Sequence, residues 1–298
     1  MRNLTDIKHR IKSVSDTRQI TNAMETISVA KMRKAMVRYE NSRRFFEATK
    51  KTIDDIVCKT GDIPSDYFSE PKEDAVALYI VVASDKGLAG GFNHNVLKHA
   101  WEQIEARKEC RVFTVGQTTL EFFRKKGVSV DEEFADAAYD PDIRDAQKIA
   151  DSVLKLFLSK QVDEIYISYT KMTAGMTMKP DTLKLLPFSH SEAQKLKDSV
   201  SLEKEYILSE IEYDPSPSEV LRRLVPLYLK WIIYGALIQS SASEHCSRRY
   251  AMSNATKNAS EILEDLNIQY NRARQEAITS ELNEIITSSM GVMDENRQ

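Results

Sequence analysis

Residues 236–290, ALIQSSASEHCSRRYAMSNATKNASEILEDLNIQYNRARQEAITSELNEIITSSM, run for 55 positions without a glycine or a proline. Those two residues break helices, by roughly 1 and 3 kcal/mol relative to alanine. A second breaker-free tract opens the chain, from Met1 to Thr60. Between the tracts, residues 61–217 hold seven of the nine glycines and seven of the eight prolines. Helices of such length are rare against a mean of about 12 residues, and in water each needs a partner to bury its apolar stripe.

The two tracts are expected to be each other's partner. Asn3 with Asp6 signals a helix start, after which Leu4, Ile7, Ile11 and Val14 step in a 3-4-3 seam. The register is then read as slipping, with Ile20, Met24 and Ile27 resuming it. In the return tract Met252, Ala255, Ala259, Ile262 and Leu266 step 3-4-3-4. Ala273 continues that face, and Ile278, Leu282 and Ile285 are read as a shifted continuation. Ser216-Pro217-Ser218-Glu219 is a capping box with proline at the first helical position, and Pro226 should bend or break the helix that follows. Tracts near 60 residues predict a rod of about 80 to 90 Å. The middle ties their inner ends together, so they should run antiparallel. Two unrelated helices packed on a globular domain are the plainer alternative.

The middle reads as a small domain of alternating strands and helices. Ala75–Ala83 (AVALYIVVA) is a continuous apolar run of strand length, as suits a strand covered on both faces. A glycine-rich turn, Ser84 to Asn93, leads to a helix near Asn95–Lys108. A strand at Arg111–Val115, a helix at Thr118–Lys126 and a strand at Val128–Val130 follow. Asp140-Pro141 should cap a helix reaching Ser159, with strands at Val162–Tyr169, Thr182–Pro187 and Glu205–Glu212. The expected fold class is therefore α/β: a long antiparallel coiled coil of the terminal helices plus a central Rossmann-like, mostly parallel α/β domain. The corresponding division is 1–60, 61–217 and 218–298.

Charge divides along the same lines. Residues 1–60 carry 14 basic and 7 acidic side chains, residues 61–217 carry 19 and 28, and residues 218–298 carry 9 and 10. The overall charge of −3 thus hides a basic helix joined to an acidic middle. Nucleic acid and membrane are poor matches for that helix, which lacks aromatics among its bases and has a stripe to bury. No stretch approaches the roughly 18 apolar residues of a membrane span; the greasiest run, Leu227 to Ile238, contains Lys230. Met1 is followed by Arg2 and no apolar run, so no signal or transit peptide is expected. Cys58, Cys110 and Cys246 are far apart, which argues against a disulfide framework or zinc cage and fits a reducing compartment.

Catalytic signals are thin. The glycine turn lies where phosphates often bind, yet it fits neither GxGxxG nor GxxxxGK[ST]. A tight strand-to-helix turn explains its glycines. His9, His94, His99, His190 and His245 lack metal-ligand spacing. Ser240–Ser243 with Glu244 and His245 would diverge around a helix rather than converge as a triad. A nucleotide-binding α/β enzyme working through Gly87–Gly91 and a homodimeric coiled-coil scaffold remain the alternatives.

Particular words then stand out. Ile7-Lys8-His9-Arg10-Ile11-Lys12-Ser13-Val14, Thr17 to Met24 and Ala30-Lys31-Met32-Arg33-Lys34-Ala35 resemble the start of the gamma subunits of F-type ATP synthases. So do Ala242-Ser243-Glu244-His245, Ala251-Met252 with Ala255 to Ala259, and Tyr270-Asn271-Arg272-Ala273-Arg274-Gln275 with Ile278-Thr279 and Glu281. The glycine turn is similar to that family's SD-R/K-GLxGGxN element. The resemblance spans essentially the whole chain.

It implies a central-stalk rotor, one copy per complex, that passes torque between the membrane c-ring and a hexamer of alpha and beta subunits, with the epsilon subunit as a further partner. ATP synthesis or hydrolysis would be coupled to proton or sodium transport. The chain itself would hold no catalytic residue, cofactor or metal, and would sit peripherally on the cytoplasmic face of a bacterial cell membrane. Met24, Arg248, Arg274, Gln275, Thr279 and Glu281 would meet the surrounding subunits. Departures from the family pattern are Arg249 where methionine is usual, Glu276 in place of a common alanine, and a charged extension, Met293 to Gln298. Asp294 and Glu295 are expected to project as a mobile tail, because an apolar collar would desolvate them at high cost.

Overall fold

A computed structural model describes residues 4–60, 67–68, 74–173, 177–188, 213–214 and 216–295, the side chains of 57–60 and 287–295 aside. The elements in chain order are α1 (Leu4–Thr60), β1 (Ala77–Val82), α2 (Phe92–Glu105), β2 (Cys110–Val115), α3 (Gln117–Lys125), β3 (Glu132–Phe134), α4 (Ile143–Leu158), β4 (Glu164–Thr173), β5 (Thr177–Leu186) and α5 (Pro217–Glu295). The breaker-free tracts lie in helices of 57 and 79 residues, the second of which also takes in Pro226, Gly235 and Gly291. The expected strand at Glu205–Glu212 and the side chains of Asp294 and Glu295 lie outside the described residues. Contacts divide the chain into two compact units, one of residues 1–27 with 249–298, the other of residues 28–248.

In the larger unit the sheet has the order β3-β2-β1-β4-β5. The first four strands are parallel neighbours and β5 joins β4 antiparallel. β1 is buried at every position, as its unbroken apolarity requires. Leu78, Ile80 and Val82 pack with Ile149 and Val153 of α4 and Leu221, Val225, Leu229 and Ile233 of α5. Ala77, Tyr79 and Val81 pack on the other side with Val96, Leu97 and Ala100 of α2. Along the two long helices, Ala35 packs with Ile238 and Ala242, Phe45 stacks on Trp231, and Phe46 on Tyr228. Numbers rising along α1 meet numbers falling along α5, so this pair is antiparallel.

Three local expectations are corrected. Val128–Val130 is not a strand: Gly127 turns left-handed (φ 74°) and Val128 donates its N–H to Phe123, closing α3, so pairing with β2 starts only at Glu132. The α4 cap is Asp142 rather than Asp140-Pro141, with Asp145 completing a capping box. Asp140 instead bonds Lys34 and Arg38 of α1. Nor does Pro226 break α5, which runs through it. Leu221, Val225, Leu229 and Ile233 are fully buried around that point, and their burial outweighs one lost backbone bond.

In the smaller unit, the Thr256 hydroxyl lies 2.8 Å from that of Thr21. Counting from this pair in opposite chain directions sets Val14 against Leu263, Ile11 against Leu266, Ile7 against Tyr270 and Leu4 against Ala273. All eight are buried or half-buried. The seam therefore keeps one register, and the expected slip does not occur. Ile20 and Ile27 are 61% and 55% exposed, while Thr21 beside one and Ser28 beside the other are buried. Leu263 is buried where Ile262 was expected, and Ile262 faces out.

Candidate coupling site

Within the larger unit, the glycine turn is fastened to α5 by the adjacent side chains of Ser247 and Arg248, and Ser243, one helical turn earlier, ties α5 to β4. β1 delivers Ser84, whose hydroxyl lies 2.7 Å from the Lys86 carbonyl and 2.8 Å from Asn93 Oδ1. Leu88 and Gly90 both adopt positive φ, 62° and 57°, which turns the chain back into α2. Ser247 donates to the Ala89 carbonyl at 2.6 Å, and Ser243 donates to Thr170 of β4 at 3.2 Å. Arg248 is only 7% exposed. Its guanidinium donates to the carbonyls of Lys86 and Gly87 at 3.3 and 3.2 Å, approaches Glu244 Oε1 at 2.6 Å and reaches His245 Nδ1 at 3.3 Å.

Burial sets the electrostatics of this clasp. It raises the Glu244 carboxyl above its ordinary value despite Arg248 beside it. His245 is held down to about 4 by burial, with Arg248 and Lys31 adding to the effect. A neutral ring accepting from Arg248 through Nδ1 is the consistent state. Tyr139 lies edge-on to His245, and Lys31 Nζ sits 3.5 Å from the Tyr139 ring centre. A hydrogen bond from Lys31 lowers the tyrosine's pKa, with burial opposing.

Chemically the turn is the reverse of a phosphate cradle. Such a cradle needs converging N–H donors, whereas here the carbonyls of Lys86, Gly87 and Ala89 converge on α5 donors. Nearby amides are spent internally: Ser84 N–H on Asn93, Phe92 N–H on Ala89, and Asn95 N–H on Gly91. Ser243, Glu244 and His245 reach β4, Arg248 and Tyr139 respectively, so they form no triad.

The sequence-predicted interface residues are thereby separated. Arg248 is inside the larger unit. The other five belong to the smaller one, where Met24 is half-buried and Arg274, Gln275, Thr279 and Glu281 are exposed. The Thr279 hydroxyl bonds back to the Gln275 carbonyl at 2.8 Å. Sequence reasoning missed Ser84, Asn93, Ser243 and Ser247; the i, i+4 spacing of Ser243 with Ser247 and of Glu244 with Arg248 was the available signal. It also missed that Ile278, Leu282, Ile285 and Ile286 stand between 49% and 63% exposed. α1 begins at Leu4, set against Ala273 by the same count, so this stretch of α5 lies beyond the described seam with α1.

A mostly parallel sheet packed on two long paired helices, with its glycine turn clasped to one of them and apolar side chains exposed along the helices, has the build of a structural subunit. A family model described as ATP synthase matches residues 3–291. The ATP synthase gamma chain of Alkaliphilus metalliredigens is 40% identical, covering 96% of this chain and 97% of that one. The sodium-ion-specific ATP synthase gamma chain of Acetobacterium woodii is 38% identical, over 95% and 97%. The fold is like that of a rotor chain of the Euglena gracilis mitochondrial ATP synthase, at a TM-score of 0.64 and 17% identity over 92% of this chain and 98% of that one. The chain belongs to the ATP synthase gamma chain family. Among the described residues no helix is long and apolar enough to cross a membrane.

Proposed function

We propose that this chain is the central-stalk rotor of an F-type ATP synthase, carrying torque between a membrane c-ring and a hexamer of alpha and beta subunits, with epsilon bound alongside. It is a non-catalytic subunit; the chemistry belongs to the hexamer. It sits peripherally on the cytoplasmic face of the cell membrane through its complex. Its working parts are the tracts 1–60 and 218–298 around the α/β region 61–217.

The observation that supports this reading most is the outer surface of the smaller unit. Ile20, Ile27, Ile262, Ile268, Ile278 and Leu282 face solvent on helices whose seam is already filled. Large exposed apolar surface marks an interaction site, and a shaft inside a sleeve needs such a surface. Met24, Arg274, Gln275, Thr279 and Glu281 lie along the same helices and are proposed to meet the sleeve. Arg248 serves instead as the clasp that fixes the glycine turn to α5.

The test is ATP hydrolysis by matched alpha and beta subunits with and without this chain, alongside the mass of the assembly. One copy per six partners with strongly raised, sustained hydrolysis is expected. Absence of both binding and stimulation would sink the proposal.

A further inference from the structure

A groove of about 220 Å³ opens in the larger unit between α1, α5 and the β4–β5 hairpin. Aromatic rings wall it: Tyr39 and Phe46 from α1, Tyr169 from β4, and Trp231 from α5. Two features say that it is more than loose packing. Gln239 is 9% exposed, and its Oε1 is buried in the wall of the groove without a hydrogen-bond partner. A buried acceptor left unpaired costs free energy that any donor entering the groove recovers. Gly235, one turn before Gln239, is a helix-interior glycine facing the same space, and a Cβ there would meet nothing nearer than Tyr39 at 4.0 Å. Alanine would fit and would favour the helix; glycine keeps the groove open.

We infer that this groove is a ligand site for a small, neutral, planar aromatic carrying an N–H or O–H donor, which stacks between the rings and donates to Gln239 Oε1. The volume lies below the roughly 300 Å³ of drug-sized pockets, which limits the occupant to one or two rings. The charged groups lining the groove are all paired, Lys171 with Asp181 at 4.0 Å and Arg43 with Glu40 and Glu47 at 2.9 and 3.7 Å, so none is left over to attract an anion or a cation. An uncharged ligand follows from that balance.

Trp231 provides the readout, since the chain has only two tryptophans and Trp101→Phe leaves it alone. Phenol and benzamide are titrated into the full-length chain, with toluene as the ring without a donor. Saturable change of Trp231 fluorescence is expected for phenol and benzamide, with dissociation constants on the order of 1 mM or tighter. Gln239→Leu should weaken both by about five- to tenfold while leaving toluene within about twofold. Gly235→Leu, which fills the space, should abolish all three. Thermal denaturation of the unmodified chain is the parallel measurement and needs no variant to fold: donor probes should raise its Tm more than toluene does. Equal behaviour of toluene and phenol in both measurements, or no saturable response to any probe, overturns the inference.

Discussion

Helix α5 inverts its surface along its length. Between residues 239 and 248 it buries Gln239, Ser240, Ser241, Ser243, Glu244, His245 and Arg248. Beyond residue 260 it exposes Ile262, Ile268, Ile278, Leu282 and Ile285. Polar groups inside and apolar groups outside both run against ordinary partition, and each has a different remedy. In the buried polar stretch Ser243, His245 and Arg248 find partners on β4, Tyr139 and the glycine turn, Glu244 pairs with Arg248, and Gln239 Oε1 is left facing the groove. In the exposed apolar stretch Ile262, Ile268, Ile278 and Leu282 stand between 44% and 59% exposed, a surface suited to cover by another subunit. One stretch is therefore a joint and the other a contact surface.

The sharpest way to break this contrast is at the joint. Arg248→Leu leaves Glu244 buried without its countercharge and unties the carbonyls of Lys86 and Gly87. A loss of about 3–5 kcal/mol is expected in chemical denaturation of the full chain. The double change Arg248→Leu with Glu244→Leu should recover much of it, because removing both charges removes the desolvation problem. A single-variant loss below about 1 kcal/mol would show that the clasp carries little of the fold.

The second test titrates the joint. His245 is 3% exposed and titrates at about 4, against 6.5 unperturbed. Between those values the unfolded chain takes up a proton that the folded chain refuses. Stability contributed by the neutral ring is thus present above about pH 6.5 and lost as pH falls towards 4, by about 3 kcal/mol in all. Glu244, raised by burial, runs the other way: the folded carboxyl holds its proton more tightly, and stability falls as pH rises above its unfolded value. His245→Asn keeps Glu244, Arg248 and Lys31 and removes only the ring's contribution. The difference between the wild-type and variant pH profiles isolates it, and parallel profiles between pH 4 and 6.5 would refute it.

A gentler probe lies where the joint meets the groove. Gly235→Ala should stabilise the chain by about 1 kcal/mol, since the new methyl meets no atom closer than 4.0 Å and φ is ordinary. A lower Tm would mean that the helix needs glycine there for a reason other than space.

The same contrast explains what the sequence could reveal. α1 and residues 236–290 of α5 were legible because the absence of glycine and proline is a property of the chain alone, whereas the run of α5 through Pro226 was not. β1 was legible because a strand buried on two faces needs no polar alternation. The seam was misread at Ile20, Ile27 and Ile262 because isoleucine was assumed to seek the partner helix. The structure gives the seam to Thr21, Ser28, Leu263 and Ala259, several of them small enough for close backbone approach, and turns the isoleucines outward. A hydrophobic pattern shows that a face will be covered, not which molecule covers it. Arg248 was assigned to the subunit interface by resemblance alone, and its place in the clasp was not legible because the carbonyls that hold it belong to a turn some 160 positions away.

The smallest effect on stability carries the most about function. Ile278 and Leu282 are 49% and 54% exposed and make no seam with α1. Ile278→Asn with Leu282→Asn should therefore change the stability of the free chain by no more than about 0.5 kcal/mol. In the assembled complex the same pair would place two polar side chains against a covering surface, with a cost for every hydrogen bond left unmade. Hydrolysis stimulated by the chain, or the fraction of complex retained on dilution, should fall at least severalfold. If the double variant weakens the free chain by more than about 1 kcal/mol, these residues pack within it and the contrast fails. If it alters neither stability nor assembly, the outward isoleucines are not the covered surface, and the sleeve must grip the shaft through Arg274, Gln275 and Glu281 instead.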